Sequence, residues 1–129
     1  MNVVYPAVFH ADERGGYFVE FPDVKGAFTE GEIVSEGIEM AQEALGLVLA
    51  VSYIEKGLEL PTPTPINDIK VGNEDFVTLI VTNPLKYAKG SKAVRKNVTV
   101  PEWLAKKAEN AHINFSETLT EALYNKLNG

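Results

Sequence analysis

The stretch 95-RKNVTVPEWL-104 alternates polar and apolar residues over positions 97–100 and then turns at Pro101 into a helical pattern. Such alternation predicts a β-strand with one polar and one apolar face. Proline suits the first turn of the helix that follows, because its missing N–H needs no partner there. No second strand is predicted after this stretch. The strand therefore needs a partner from the N-terminal part of the chain or from a second copy of the chain.

Two short helices are predicted after this strand. The first carries Leu104, Ala108 and Ala111 on one face, and the second is predicted to begin with Ser116 as its N-cap. Its apolar face consists of Leu119, Leu123 and Leu127. One strand and two short helices bury too little surface to be stable alone. A two-fold dimer solves this if the strand pairs antiparallel with its own copy. Pairing with the N-terminal sheet is the alternative, and the pattern leaves both open.

In such a dimer Val98 and Val100 would face the helices, and Arg95, Asn97 and Thr99 would face outward. A two-stranded ribbon fits the major groove of B-DNA. Arginine suits guanine, asparagine suits adenine, and threonine can use its hydroxyl or its methyl group. The basic residues around the strand favour DNA binding. Contacts to DNA phosphates are predicted for Lys92, Lys96, Lys106 and Ser116.

The residues before position 85 predict an α+β unit with one long helix on a small antiparallel-rich sheet. Strands are predicted at 3–11, 17–21, 27–30 and 76–83, the last of them well buried. Pro6 cannot donate to a sheet, which predicts that the first strand lies at an edge or carries a bulge. The helix is predicted over 34–56, with Ser35 as N-cap and Gly57 as its stop.

The predicted domains are 1–84, a basic linker at 85–92, and 93–129. Charge is distributed unevenly along this order. Residues 1–68 hold 12 acidic and 3 basic side chains, whereas residues 85–129 hold 8 basic and 4 acidic ones, within a net charge of -6. This asymmetry suggests two parts with partners of opposite charge, although uneven solvation of two surfaces would look the same.

The composition excludes several classes of protein. With no cysteine, the chain forms no disulfide and no cysteine-based metal site, which fits a reducing cytosol. Its longest dense apolar run, 44–54, is shorter than the roughly 20 residues that a membrane span needs, and no signal peptide is predicted. We therefore expect a cytoplasmic protein that does not span a membrane.

Catalysis is not expected either. A metal-dependent nuclease needs several carboxylates converging on divalent cations. Asp12 and Glu13 are predicted at a hairpin tip, and no acidic residue falls in the strand 76–83. His10 and His112 lack a metal partner at a suitable spacing, so we interpret both as core or surface histidines. The sequence predicts no metal and no cofactor.

Two segments carry a family resemblance. The segment NVTVPEWLAKKAENAHINFSETLTEAL resembles a ribbon-helix-helix DNA-binding domain, and 5-YPAVFHADERGGYFVEFPDVKGAFTEGE-32 with MAQEALGLVL resembles the N-terminal domain of HicB antitoxins. The most specific piece is GGYFVEFPD followed by Gly26 and 29-TEG-31. The chain departs from that family at Ala27, where cysteine is frequent, at Ile33, where a helix-capping residue is common, and at Gly37, where a helix former is usual.

The resemblance implies an antitoxin of a type II toxin–antitoxin system. Its N-terminal domain would have a partial RNase H-like fold without catalysis and would neutralise HicA, an mRNA-cleaving toxin with a double-stranded-RNA-binding fold and a catalytic histidine. Its C-terminal ribbon would bind the operon's own operator through Arg95, Asn97 and Thr99 and repress it. A homodimer is expected, with a tetramer left open.

An acidic domain would also steer a basic toxin toward itself. Asp23, Glu30 and Glu32 cluster in the sequence around the turn after the second strand, and we predict them as toxin contacts. The alternative to this dual function is a protein-binding inhibitor module whose C-terminal part only dimerises and does not bind DNA.

Overall fold

The computed structural model describes residues 1–128 and forms two compact units, the N-terminal unit (Asn2–Ser91) and the C-terminal unit (from Lys92 onward). Gly129, the last residue of the predicted second domain, lies outside the described residues. The elements are β1 (Val3–Ala11), β2 (Tyr17–Glu20), β3 (Phe28–Gly31), α1 (Val34–Leu49), β4 (Phe76–Thr82), α2 (Glu102–Asn110) and α3 (Phe115–Asn128). The four strands form one antiparallel sheet in the order β3-β2-β1-β4. The predicted mixed fold with one long helix and a small antiparallel sheet is confirmed at this level.

The alternation in β1 places Tyr5, Ala7 and Phe9 in the core. The prediction that Pro6 puts β1 at an edge or in a bulge is wrong, because β1 lies between β2 and β4 and pairs with β4 in an unbroken register. The missing N–H of Pro6 is nevertheless tolerated for a local reason. β2 pairs only with residues 8–11 of β1, so Pro6 has a neighbouring strand on one side only, where it lies opposite Leu79.

The prediction that β4 is well buried is wrong. β4 is an outer strand of the sheet, and its residues alternate between burial and exposure. Ile80 and Thr82 are buried, whereas Leu79 and Val81 are exposed. β4 was predicted to be buried because an apolar strand normally lies in a sheet that is covered on both faces. Here α1 covers one face of the sheet, and the apolar side chains on the other face of β4 remain in solvent.

The helix α1 starts at Val34, after an extended Ile33 that provides no side-chain cap. Ser35 therefore lies in the first turn and is not the N-cap that was predicted. The Glu36 carboxylate accepts a hydrogen bond from the backbone N–H of Glu32 at 3.3 Å, which ties the first turn of the helix to the residue before its N-cap. The helix continues as a π-helical turn, Ala50–Ile54, and the predicted stop at Gly57 is confirmed by its left-handed φ of 67°.

Gly37 permits the close approach of α1 to the sheet. A β-carbon at Gly37 would lie 2.8 Å from the Phe9 ring, and one at Gly31 would lie 2.6 Å from the backbone nitrogen of Gly37. Both distances are too short for any side chain. The departure from a helix former at position 37 is therefore explained by packing, because β3 and α1 meet backbone to backbone.

The span Val34–Ile54 is long and apolar enough, by length and composition alone, to cross a membrane. The same helix provides Ala41, Leu45 and Leu49 to the core beneath the sheet, and all three are fully buried. A core helix of a folded domain passes this test as well, and we interpret the span as such.

Most of the segment predicted as a basic linker, 85–92, belongs to the N-terminal unit. A short 3-10 turn, Pro84–Lys86, follows Asn83, whose side chain accepts a hydrogen bond from the N–H of Leu85. A β-carbon added to Gly46 would overlap the Tyr87 ring. Tyr87 thus packs directly on α1, which the charge pattern of the segment did not indicate.

The C-terminal unit contains the two predicted helices. They are joined by a turn in which His112 adopts a left-handed φ of 57°. The prediction of Ser116 as N-cap of the second helix is wrong by two positions. Asn114 has that role, because its side-chain oxygen accepts a hydrogen bond from the N–H of Glu117 at 3.0 Å, while Ser116 lies in the first turn of α3.

Candidate functional site

The segment 93–100, which contains the residues predicted to read DNA, forms no strand within this chain. The predicted base-reading residues Arg95, Asn97 and Thr99 are all exposed, and so are Val98 and Val100 on the alternate positions. The four-stranded sheet includes no residue of this segment, so the alternative that the strand joins the N-terminal sheet is wrong. A strand requires hydrogen bonds to a neighbouring strand. Within residues 1–128 the chain supplies none to this segment.

The two C-terminal helices carry an exposed apolar stripe. None of the residues 92–128 is buried. The exposed apolar side chains of the helices and their connecting turn are Trp103, Leu104, Ile113, Phe115, Leu119, Leu123 and Leu127. Monomeric soluble proteins rarely expose this much contiguous apolar side chain on so small a unit. The stripe is typical of a surface that another polypeptide covers.

The predicted phosphate contacts surround these elements. Lys92 and Lys96 are exposed in the extended segment, and Ser116 is exposed in the first turn of α3. Lys106 lies on α2, with its ammonium nitrogen 3.8 Å from a carboxylate oxygen of Glu102. Both of those side chains are strongly exposed, so this ion pair contributes little and leaves Lys106 accessible.

Trp103 lies in the first turn of α2. Its ring is 63% exposed in the single chain, and the Lys107 ammonium lies 5.7 Å from the ring centre. At this distance the lysine makes a weak cation–π contact. Trp103 is the only tryptophan of the chain, so its fluorescence reports on the C-terminal unit alone.

The three predicted toxin contacts do not form one cluster. Asp23 lies at the turn between β2 and β3, and its two carboxylate oxygens accept hydrogen bonds from the backbone N–H and the hydroxyl of Thr64, at 2.9 and 2.5 Å. Glu30 and Glu32 lie toward the other end of that hairpin, because Tyr17 pairs with Gly31 whereas Glu20 pairs with Phe28. Asp23 thus has a structural use of its own.

Asp23 and Tyr5 together hold the proline-rich loop 61–65. The Tyr5 hydroxyl donates a hydrogen bond to the carbonyl of Pro61 at 2.6 Å. Burial, followed by the nearby Asp23 carboxylate, raises the pKa of Tyr5 above its usual value. The loop is therefore attached to both the core and the β2–β3 turn. The residue types of 61–65 do not indicate these attachment points, because both depend on residues more than 40 positions away in the sequence.

Glu30 and Glu32 line an open cleft of about 360 Å³ beside the β1–β2 turn. Asp12 and Glu36 are part of the same lining, together with the backbone of Gly15 and Gly16. The cleft thus brings four carboxylates to one end of the sheet. Glu30 and Glu32 were predicted as contacts from the sequence, whereas Glu36 was not, because it lies on α1 and not at the turn after the second strand.

His10 lies between two carboxylates on the sheet face opposite α1. Its Nδ1 is 2.8 Å from an oxygen of Asp75, and its Nε2 is 3.0 Å from an oxygen of Glu20. The hydrogen bond to Glu20, with further help from Asp75, raises the pKa of His10, and the hydrogen bond from His10 lowers the pKa of Asp75. The ring thus bridges two acidic side chains at the surface, in agreement with the interpretation of His10 as a surface histidine. Among residues 1–128, no group of three or more His, Cys, Asp and Glu side chains could hold a metal ion.

Comparisons with known proteins give a consistent result. The family described as HicB-like antitoxin of bacterial toxin–antitoxin systems matches residues 5–124. Antitoxin HicB 1 of Photorhabdus laumondii subsp. laumondii is 40% identical over 65 residues, which cover 50% of this chain and 41% of that protein. This chain therefore matches under half the length of that relative.

Two solved structures extend the similarity over the full chain. One belongs to a toxin–antitoxin complex from Streptococcus pneumoniae, with a TM-score of 0.63, 32% identity, and coverage of 98% of this chain and 99% of the other. The second is the antitoxin HicB of Burkholderia pseudomallei, with a TM-score of 0.66, 25% identity, and the same coverage of both chains.

Proposed function

We propose, from the premise that this chain belongs to the family of HicB-like antitoxins of bacterial toxin–antitoxin systems, that it both neutralises a toxin and represses its own operon. The N-terminal unit, as a partial RNase H-like domain without catalysis, binds a HicA-like mRNA-cleaving toxin. The C-terminal unit, as a ribbon-helix-helix dimer, binds the operator DNA. Both activities belong in the cytoplasm, where mRNA and operator are found.

The observation that carries the DNA-binding part is the exposed state of the C-terminal unit. No residue between 92 and 128 is buried, and the extended segment 93–100 has no strand partner in the chain. A second copy would solve both problems together. Antiparallel pairing of the two segments would satisfy their backbone groups, and the helix stripes led by Leu119 and Leu123 would cover each other.

Pairing of this kind fixes which side chains reach DNA. Side chains alternate along a strand, so Val98 and Val100 face the helices when Arg95, Asn97 and Thr99 face the groove. These three side chains suit base edges in the major groove. Lys92, Lys96, Lys106 and the N-terminal turn of α3 around Ser116 then lie in a position to contact phosphates. DNA binding accordingly weakens with salt, because each phosphate contact releases a counterion.

A gel shift with the promoter of the chain's own operon tests this assignment. The double variant Arg95→Ala, Asn97→Ala should lose operator binding and keep its dimeric mass. The matched control is Arg14→Ala, Asn73→Ala, which removes the same two residue types from exposed positions of the N-terminal unit and should bind as the wild type does. Lys96→Ala should lower the slope of log affinity against log salt by about 1 at every DNA sequence.

The competing function is an inhibitor module whose C-terminal unit only dimerises. It predicts that the double variant and the wild type behave alike on the promoter, with affinity no higher than for unrelated DNA. If both proteins bind the promoter equally and much more tightly than they bind unrelated DNA, Arg95 and Asn97 do not read the operator. The proposed role of the ribbon would then be wrong.

The toxin-binding part is supported by charge. Residues 2–91 contain 14 Asp and Glu but only 6 Lys and Arg. A protein that cleaves mRNA needs a basic surface to hold RNA phosphates, and an acidic partner attracts such a surface. We keep Asp23, Glu30 and Glu32 as proposed contacts, with Glu30 and Glu32 accessible in the acidic cleft. Co-purification with the basic protein encoded beside this gene, and rescue of cells from its toxicity, test this part directly.

A further inference from the structure

The chain that follows β4 stays attached to the N-terminal unit well beyond the end of the sheet. Pro84 is fully buried and Tyr87 is half-buried, whereas Lys86 and Lys89 are exposed. The segment thus has an apolar side that packs and a basic side that faces solvent. A free linker would be exposed throughout. Residues 86–91 are called the strap below, because they are fastened to the long helix at two points.

The ring of Tyr87 is the first attachment of the strap. It lies so close to Gly46 of α1 that an added β-carbon would overlap it. The same β-carbon would lie 2.9 Å from the hydroxyl oxygen of Thr82, which donates a hydrogen bond to the backbone carbonyl of Gln42 at 2.9 Å. Glycine leaves room for the ring here, because any side chain would need the space that the ring occupies. Gly46 is thus the contact that α1 provides for the strap.

The second attachment comes from the turn that ends the long helix. The backbone N–H of Lys89 donates a hydrogen bond to the Glu55 carboxylate at 3.0 Å. Glu55 follows the π-helical turn, in which its own N–H donates to the carbonyl of Ala50 at 2.9 Å. A regular α-helical turn in this place would rotate Glu55 by about 100° around the helix axis. The irregular turn therefore directs a carboxylate toward the strap.

The two attachments limit the length of free chain before the alternating stretch 97–100. With the strap attached, this free chain consists of residues 92–96, which span at most about 17 Å. If Tyr87 and Lys89 detach, it consists of residues 86–96, which span at most about 38 Å. The strap therefore roughly halves the distance that the N-terminal unit can move away from this stretch.

Charge makes this distance important for DNA binding. Residues 2–91 contain 14 Asp and Glu but only 6 Lys and Arg, so the N-terminal unit repels DNA phosphates. This repulsion acts over about 8 Å at physiological ionic strength and over roughly 30 Å at about 0.01 M salt. A free chain of at most about 17 Å keeps part of the acidic unit within that range at low salt, whereas a longer chain lets the unit move away.

We propose that the strap limits DNA affinity by keeping the acidic N-terminal unit near bound DNA. When attached, it adds electrostatic repulsion to every complex with DNA, whatever the base sequence. When detached, it lets the acidic unit move away, and binding becomes tighter. The inference rests on the proposed DNA binding of the C-terminal unit and adds a control on its strength. The mechanism requires no contact between the units, only a limit on the length of the chain that joins them.

Trypsin digestion of the full chain tests whether the strap is attached. Trypsin cuts after lysine, and the wild type should be cut rapidly after Lys92, in the free chain, but slowly after Lys86. The release variant, Glu55→Ala with Tyr87→Ala, should be cut after Lys86 at least about tenfold faster, because cleavage follows the population of the open form. Mass spectrometry of the fragments identifies each site.

Binding to the promoter of the chain's own operon, measured at several salt concentrations, tests the effect on affinity. At about 0.01 M salt the release variant should bind at least about threefold more tightly than the wild type, and the difference should shrink near 0.15 M. Glu74→Ala is the matched control, because it also removes one exposed carboxylate from the N-terminal unit but leaves both attachments in place. It should be cut and should bind as the wild type does. If circular dichroism shows that the release variant is unfolded, Tyr87→Ala alone, which changes no charge, replaces it in both measurements.

Three results would overturn the inference and leave the proposed function intact. Equally rapid cleavage after Lys86 and Lys92 in the wild type would show that the strap is not attached. If the release variant is cut faster but binds the promoter no more tightly than Glu74→Ala, the strap does not limit affinity. If it binds more weakly, a short connection assists DNA binding. If the wild type binds the promoter no better than unrelated DNA, the proposed DNA binding itself is wrong, and this inference is wrong with it.

Discussion

The two units of the chain differ in how they bury apolar side chains. In the N-terminal unit Phe9, Leu45 and Leu49 are fully removed from solvent, whereas no residue of 92–128 is buried. Both segments have the apolar periodicity of folded helices. A helix with an apolar face therefore forms a core within one chain when a sheet packs against that face. Without such a sheet, the apolar face stays exposed as a stripe. We infer that the C-terminal unit gains its stability from association.

The largest expected effect comes from replacing one leucine in each unit, because a closed core and an association surface should respond differently to protein concentration. Leu45→Ala leaves a cavity in a closed core and should lower the free energy of unfolding of the N-terminal unit by about 2–5 kcal/mol, whatever the protein concentration. Leu123→Ala should instead weaken the C-terminal unit through its association, so its effect should grow on dilution. Urea unfolding followed by Trp103 fluorescence reports on the C-terminal unit, and tyrosine absorbance reports mainly on the other.

The proposed difference between the two units is wrong if dilution does not lower the stability of the C-terminal unit. A Trp103 transition whose midpoint stays constant over a hundredfold dilution of the wild type would mean that the C-terminal unit is stable as a monomer. Its exposed leucines would then need a different explanation.

Gly37→Ala tests how tightly the N-terminal core is closed. In an exposed helix this change stabilises by roughly 1 kcal/mol. Here the new β-carbon would lie 2.8 Å from the Phe9 ring, and overpacking of this kind costs about 1–3 kcal/mol. We therefore expect a lower midpoint in thermal unfolding. Gly72→Ala is the control, since its β-carbon would meet nothing closer than 3.6 Å, and a higher midpoint for Gly37→Ala would show a looser core than described.

Asn114→Ala tests the helix start in the C-terminal unit. Loss of this cap should reduce stability by about 1 kcal/mol, seen as a lower midpoint of the Trp103 transition. Ser116→Ala should have a much smaller effect, because its hydroxyl is exposed in the first turn of α3. If the two variants lose equal stability, Ser116 contributes as much as Asn114 to the start of α3.

The smallest expected effect is the dependence of stability on pH through His10. Its pKa is raised in the folded state, so its contribution is complete below its ordinary pKa of 6.5 and is lost as pH rises through the higher folded value. The pKa of Asp75 is lowered, so its contribution is present above its ordinary value of 3.8 and is lost as pH falls. The difference in unfolding midpoint between wild type and His10→Gln should thus be larger near pH 5.5, roughly, than near pH 8.5. A difference that does not change with pH would show that folding leaves the pKa of His10 unshifted.

The sequence predicted the elements of this fold well where periodicity is local. β1 occupies 3–11 as predicted, and Gly57 follows the long helix with a left-handed backbone that favours glycine. The two helix caps were misassigned for a shared reason. Serine is a good N-cap, but Ile33 has an extended backbone that makes it the boundary of α1, and Asn114 competes successfully with Ser116. Capping depends on backbone angles that residue type does not determine.

The candidate sites were predictable to a lesser extent. Arg95, Asn97 and Thr99 are exposed, but so are Val98 and Val100, so alternation alone does not account for the exposure of this segment. The separation of Asp23 from Glu30 and Glu32 depends on the register of β2 against β3. The contact of His10 with Asp75 joins residues 65 positions apart. No local pattern indicates such a contact, because it exists only once β1 and β4 are paired.

By itself the sequence determined the element order, the acidic and basic halves, and the family, because these depend on residue type and local spacing. Only the tertiary structure decided that Pro6 lies in an inner strand, that Gly37 is a contact point between helix and sheet, and that 93–100 has no strand partner within residues 1–128. The stretch 95-RKNVTVPEWL-104 shows the physical reason. Alternation specifies which side chains share a face, but the hydrogen bonds of a strand come from another strand, and residue order alone does not say which one.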